Sequence, residues 1–132
     1  MNVVVHRVAA AAVALFAGAP AAAQSVSEGS YTIDQADRGE AVFRDICSSC
    51  HTPGQFSGSV FLRAWNGTTA YDLFTLMRTT MPYDNPGQLR REQYADVMAY
   101  VFKLNGLPTG PRELPSDDAG LRRVKIEPPS PE

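Results

Sequence analysis

The chain of 132 residues predicts a small all-α fold with three main helices and connecting loops. Three observations carry that expectation. Apolar residues recur at helical spacing in three separate stretches. Residues that start or stop helices bound most of those stretches. No pair of alternating apolar and polar runs joined by a tight turn is visible, so no strand pairing is expected. Composition agrees, with 44% of residues apolar and 20% charged, which excludes collagen, coiled coil and wholesale disorder.

In chain order, Arg7 precedes a run of mostly small apolar residues, and Ala21-Ala22-Ala23 before Gln24 reads as a cleavage site. That is the order of a secretory signal peptide over residues 1–23. The apolar stretch of about 16 residues falls short of the roughly 20 needed to span a bilayer. The expected mature chain, residues 24–132, keeps eleven basic groups against fourteen acidic, a net charge of −3. So weak a charge argues against nucleic acid as the main partner, and the mature chain has no expected transmembrane segment. Export would place it in the periplasm, on the oxidising side of a membrane, where bare thiols seldom persist.

Residues 24–31 read as a polar lead-in. Thr32 and Gln35 fit a capping box that opens a first helix over Ile33–Ile46, with Ala36, Phe43 and Ile46 turned inward. Residues 52–66 contain Pro53, Gly54 and Gly58 and read as loop. A second helix is expected from Ala70 to Thr79, capped by Thr69 and Asp72, with Leu73, Leu76 and Met77 on one side. Met81-Pro82 ends it, because a residue before proline is pushed out of the α region. In the last helix Tyr94, Val97, Met98 and Val101 share a face and Asn105-Gly106 supplies the stop. Arg90 stands where a capping serine or aspartate would be preferred. Residues 24–106 therefore form the expected domain. Residues 107–132, with six of the ten prolines, read as a loosely packed extension with one short turn near Asp117.

Cys47-Ser48-Ser49-Cys50-His51 carries the chemistry. Two cysteines three apart, followed at once by histidine, make the C-x-x-C-H pattern of c-type haem attachment. One helical turn separates the thiols by about the span between two haem vinyl groups, and His51 is then held beneath the iron. A thioredoxin-like pair would need a βαβ context. A structural zinc site usually takes four Cys or His ligands, where the mature chain offers three, and a disulfide across so short a loop would stabilise little.

His51 is the only histidine of the mature chain, so the second axial ligand falls to a methionine: Met77, Met81 or Met98. Met98 belongs to an apolar helix face and Met77 to a helical stripe, where methionine is usually core filler. Met81 lies in a loop thirty residues beyond His51, far enough for the chain to wrap the ring. Methionine ligation raises the potential and fills the sixth position, which favours one-electron transfer over catalysis.

With Gly39, Phe43, Cys47, Cys50, His51, Met81-Pro82 and Val97-Met98-Ala99-Tyr100, the chain resembles class I c-type cytochromes. That resemblance implies a small cytochrome c fold wrapped around one haem c, attached through Cys47 and Cys50, with His51 and Met81 on the iron. It also implies that Gly39 and Phe43 cross the last helix against Val97 and Tyr100. The stretches Pro86-Gly87-Gln88-Leu89, Tyr94–Tyr100 and Asn105-Gly106-Leu107-Pro108 are similar to small periplasmic cytochromes accompanying quinoprotein dehydrogenases, and to haem domains of some sulfur-oxidising enzymes. The implied partners are redox proteins: a quinoprotein dehydrogenase as donor, and a terminal oxidase or another cytochrome as acceptor. Two alternatives stand beside this carrier: a haem subunit working only inside a dehydrogenase complex, and a haem enzyme or sensor with a labile sixth ligand. The loop after His51 lacks the proline-leucine-glycine segment common in such proteins. The carbonyl that accepts a hydrogen bond from the proximal imidazole in that family therefore has no assigned counterpart.

Other residues admit two readings each. Trp65 could donate to a haem propionate or pack on the ring edge. Tyr71 and Tyr83 could reach the Met81 sulfur or a propionate, Arg63 and Arg78 could pair with propionates or stay solvated, and Phe56 and Phe61 are expected to cover the haem. Lys103 and Lys125 are the only lysines, too few for lysine-driven steering of a partner.

Overall fold

The structure is a computed structural model that describes residues 24–127; the expected signal peptide and residues 128–132 lie outside the described residues. Five helices follow one another: α1 (Ile33–Ile46), α2 (Gly58–Trp65), α3 (Ala70–Thr80), α4 (Arg91–Leu104) and α5 (Asp118–Arg123). The fold is small and all-α, as the helical spacing predicts.

The three expected helices form for the local reasons anticipated. The Thr32 hydroxyl accepts the Gln35 N–H at 3.1 Å, opening α1. At α3 the box closes in both directions, with Asp72 N–H donating to the Thr69 hydroxyl at 3.3 Å and Thr69 N–H to the Asp72 carboxylate at 2.8 Å. At α4 the side chain of Gln93, the third helical residue, accepts the Arg90 N–H at 3.1 Å, which supplies the reciprocal half of a capping box without a capping serine. Asn105 and Gly106 (φ +68°) end α4. Within α3 the buried side is Leu73 and Phe74, while Leu76 is half exposed and faces outward.

Helices α1 and α4 make the principal crossing. It is possible because Gly39 has no side chain: a Cβ there would stand 1.8 Å from the Asp96 carbonyl oxygen. Phe43, Val97 and Tyr100 pack beside this point, with the Phe43 and Tyr100 rings 5.5 Å apart. Polar ties flank the crossing. Arg38 grips the Asp96 carboxylate through two nitrogens at 3.0 and 3.2 Å, and Lys103 pairs with Asp37 at 2.7 Å and Glu40 at 3.5 Å.

The structure corrects several expectations. Residues 52–66 are not simply loop. A 3-10 turn at Pro53–Phe56 precedes α2, whose first residue, Gly58 (φ +80°), donates its N–H to the Asn105 side chain at 2.9 Å. The glycine and proline signals mark the ends of these elements, not one continuous loop.

A strand pair is present as well. β1 (Gln24–Ser25) and β2 (Val124–Lys125) run parallel, which short-range hairpin signals cannot reveal because about a hundred residues separate them. Finally, residues 107–127 are not loosely packed. Leu107, Leu114, Leu121, Val124 and Ile126 are all buried with Val26, Tyr31 and Phe102 in the main core. The lead-in is equally part of that core, through Val26 and Tyr31.

Polar anchors explain how the tail docks. Gln35 is almost wholly buried; its amide donates to the Leu114 carbonyl at 3.0 Å and accepts the Leu114 N–H at 2.7 Å. It is therefore unavailable to complete the capping box at Thr32. The Tyr31 hydroxyl donates to the Leu107 carbonyl at 2.5 Å, and Gly110 N–H to the Tyr31 carbonyl at 2.7 Å. Near the end of the tail, Gly67 N–H reaches the Ile126 carbonyl and Ile126 N–H the Thr68 carbonyl, both at 2.9 Å.

Candidate functional site

The Cys47–His51 segment begins where α1 ends. Cys47 caps the helix with its N–H on the Phe43 carbonyl, then one 3-10 turn carries the chain to Cys50. His51 N–H returns to the Cys47 carbonyl at 2.9 Å. The two intervening serines are not spacers alone: Ser48 and Ser49 hydroxyls donate to the Arg44 and Ile46 carbonyls at 2.5 and 3.1 Å. They satisfy the helix-end carbonyls that would otherwise lack partners. Both thiols are free; Cys47 is half-buried and Cys50 exposed.

Burial pushes the Cys47 thiol above its ordinary range. A redox-active thiol needs the opposite, a stabilised thiolate, and no βαβ unit surrounds the pair among the described residues. The thioredoxin-like alternative therefore finds no support. What surrounds Cys47 is apolar. Cys47, Val42, Phe56, Met77 and Leu104 are half-buried residues packed around Phe43, Val97 and Tyr100. Those three buried side chains form too thin a cluster to be a second core; rimmed by partly exposed apolar groups and the Cys47 thiol, with the exposed Cys50 one turn further along the chain, they make a surface suited to a flat apolar ring. The residues present fit a covalently held haem.

His51 sits against this surface. Its ring meets Phe56 edge-on at 5.2 Å, and Phe56 in turn meets Phe43 edge-on at 6.0 Å. Its Nδ1 lies 3.2 Å from the Gln55 side-chain oxygen. Gln55 was not among the residues singled out from sequence. The only signal was its place four residues after His51 in a Pro-Gly turn, which any polar residue could occupy.

Met81 caps the C-terminus of α3 and is half-buried, with its N–H on the Met77 carbonyl at 2.8 Å. Its own carbonyl is held twice, by the Tyr94 hydroxyl at 2.7 Å and by Gly87 N–H at 3.3 Å. Tyr94, which its spacing marked only as core, is thus what ties α4 to the Met81 backbone. Met98 is fully buried in the main core, and Met77 packs against both apolar clusters.

The other candidates separate cleanly. Phe56 joins the site, whereas Phe61 turns into the main core, 6.4 Å from Trp65. Tyr83 is 89% exposed, and Tyr71 lies 3.4 Å beneath the Arg122 guanidinium. Arg63 and Arg78 are exposed. Lys103 is occupied by Asp37 and Glu40.

A glycine-mediated crossing of α1 and α4, with C-x-x-C-H closing α1, defines a c-type cytochrome domain, a class of haem-bearing electron-transfer proteins. The profile of the family described as cytochrome c oxidase, cbb3-type, subunit III matches residues 34–101, just over half of the chain, and the chain belongs to that family. No curated protein and no solved structure matches it. Among the described residues, no helix is long and apolar enough to cross a membrane.

Proposed function

We propose that this chain is an exported monohaem electron carrier of the periplasm, in which His51 and Met81 would ligate the iron of one haem c attached through Cys47 and Cys50. The observation that carries the reading is the juxtaposition of the Cys47–His51 turn with the apolar surface of Phe43, Phe56, Met77, Val97 and Tyr100. The bound haem supplies reversible one-electron chemistry at its iron. The protein contributes position and shielding. Cys47 and Cys50 would hold the group, Phe56 orients the ring of His51, and the apolar surface would exclude water from it. Tyr94 and Gly87 fix the Met81 backbone, which favours a permanent sixth ligand over a labile one. No nucleophile or general base is needed for such work. The donor in this reading is a dehydrogenase of quinoprotein type, and the acceptor a terminal oxidase or another cytochrome.

The family's description names an oxidase subunit, and that favours a second reading in which the chain works inside a larger redox complex. Analytical ultracentrifugation separates the two, since a carrier sediments as a stable monomer that still exchanges electrons. The ligand set is tested by spectra of the protein matured with haem, with and without carbon monoxide. A His/Met carrier shows a methionine-to-ferric-iron charge-transfer band and refuses carbon monoxide. Met81→Ala lowers the potential and admits carbon monoxide, whereas Met77→Ala leaves the ligation intact. An unchanged spectrum in Met81→Ala sinks the assignment.

A further inference from the structure

We propose that Gln55 is the positioning residue of His51: its side-chain carbonyl selects the histidine tautomer and sets the electron-donating strength of the ring. The inference rests on His51 as an iron ligand. It begins with a turn. Gln55 closes the 3-10 turn after Thr52, its backbone N–H on the Thr52 carbonyl at 3.1 Å. Its side chain folds back so that one amide atom lies 2.9 Å from the Thr52 nitrogen. That nitrogen can only donate, so the amide atom facing it is the oxygen. The same oxygen stands 3.2 Å from His51 Nδ1.

One consequence follows for the ring. Two groups facing a carbonyl oxygen must both be donors, so Nδ1 carries the proton. A neutral imidazole protonated at Nδ1 has its lone pair on Nε2. The turn therefore prepares Nε2 to ligate, before and independently of any bound group. Phe56 fixes the ring from a second direction, by its edge contact at 5.2 Å. The acceptor that the short loop leaves unassigned is thus a side chain and not a backbone carbonyl. A side chain makes the contact open to change by a single substitution.

Hydrogen bonding at the distal ring nitrogen raises ligand basicity. A more basic imidazole stabilises ferric iron over ferrous. Gln55→Leu removes the acceptor and is expected to shift the reduction equilibrium toward the reduced form by roughly tenfold, about 59 mV for one electron. Gln55→Glu keeps an oxygen for Thr52 and strengthens the acceptor, so it shifts the equilibrium the opposite way. Potentiometry on the haem-matured protein reads both. Proton NMR of the reduced state adds an independent readout: the His51 Nδ1 proton exchanges slowly with solvent in wild type and Gln55→Glu, and faster in Gln55→Leu.

Opposite shifts with that exchange pattern support the proposal. Shifts of the same sign, or both smaller than twofold, overturn it, since a merely structural role would move the two variants alike. The two readings fail differently. If wild type takes up no haem, or His51→Ala leaves the spectrum unchanged, the ligand reading falls and this proposal with it. If ligation by His51 holds and the variants do not split, Gln55 alone is excluded.

Discussion

Gly39 on α1 lies directly against the Asp96 backbone on α4, leaving no room for even a methyl group. The approach is braced from the side, because Arg38, one residue before Gly39, holds the Asp96 carboxylate through two hydrogen bonds. Gly39→Ala must therefore push the helices apart and also loosen the packing of Phe43 against Tyr100. Overpacking of this kind costs about 3 kcal/mol, a large share of the roughly 5–15 kcal/mol that holds a domain of this size. Urea denaturation of the haem-matured protein measures it. A variant whose midpoint matches wild type would show that the crossing is not tight.

Gln35 and Leu114 test whether the tail belongs to the fold. Gln35→Leu removes both bonds to the Leu114 backbone and leaves a buried N–H and carbonyl without partners, at about 1–3 kcal/mol each. Limited proteolysis should then cut within residues 107–127 before any other segment. Truncation after Gly106 is harsher. It strips five buried aliphatic side chains from the core, each contributing about 1.5–3 kcal/mol. That loss rivals the stability of the whole domain, so circular dichroism should show the truncated chain unfolded. A folded truncation would return the tail to the status of an appendage.

Legibility in the sequence followed the range of the interactions. Helices α1, α3 and α4 were readable because Thr32, Thr69 and Asn105-Gly106 act on their own neighbours. The Cys47–His51 segment was readable for the same reason. Helix α2 was hidden because Gly58, a breaker by composition, is used here as a first residue held by the distant Asn105. The tail was hidden because its five apolar residues share no single period, and their burial depends on Gln35 and Tyr31 more than seventy residues away. At the site, Gln55 and Tyr94 escaped notice because nothing local distinguishes a turn glutamine or a core tyrosine. Tyr94 reaches the Met81 carbonyl only through the fold, and Gln55 meets His51 through a turn whose side-chain direction the sequence does not state.

Asp72 gives the fold an acid-sensitive contact. The Thr69 backbone N–H, then its hydroxyl, hold the Asp72 carboxyl below its ordinary range. A carboxyl depressed in the folded state adds stability that is fully present above its unfolded value, near pH 4. The contribution fades as pH falls through the lower folded value. Asp72→Asn should lower stability at neutral pH and flatten its decline below about pH 4. Thermal melts from pH 7 to pH 2 check the slope. Thr69→Ala, which removes the cap itself, should cost about 1 kcal/mol. Parallel acid limbs in wild type and Asp72→Asn would show that the carboxylate is not responsible.

Tyr94 links helix α4 to Met81, and its hydroxyl is the feature to remove. The ring is buried against Phe74 at 6.0 Å, so Tyr94→Phe keeps the packing and deletes only the bond to the Met81 carbonyl. A part-buried carbonyl that loses one of its two donors costs about 0.5–1.5 kcal/mol, which should appear as a lower denaturation midpoint. The more informative effect is on ligation. With Gly87 N–H as its remaining partner at 3.3 Å, the Met81 backbone gains freedom while the Cys47–His51 turn is untouched. In the haem-matured protein, Tyr94→Phe should weaken the methionine charge-transfer band and admit carbon monoxide more readily than wild type, with the haem still covalently attached. If stability falls and the band is unchanged, Tyr94 supports the fold alone and Met81 is held by its own turn.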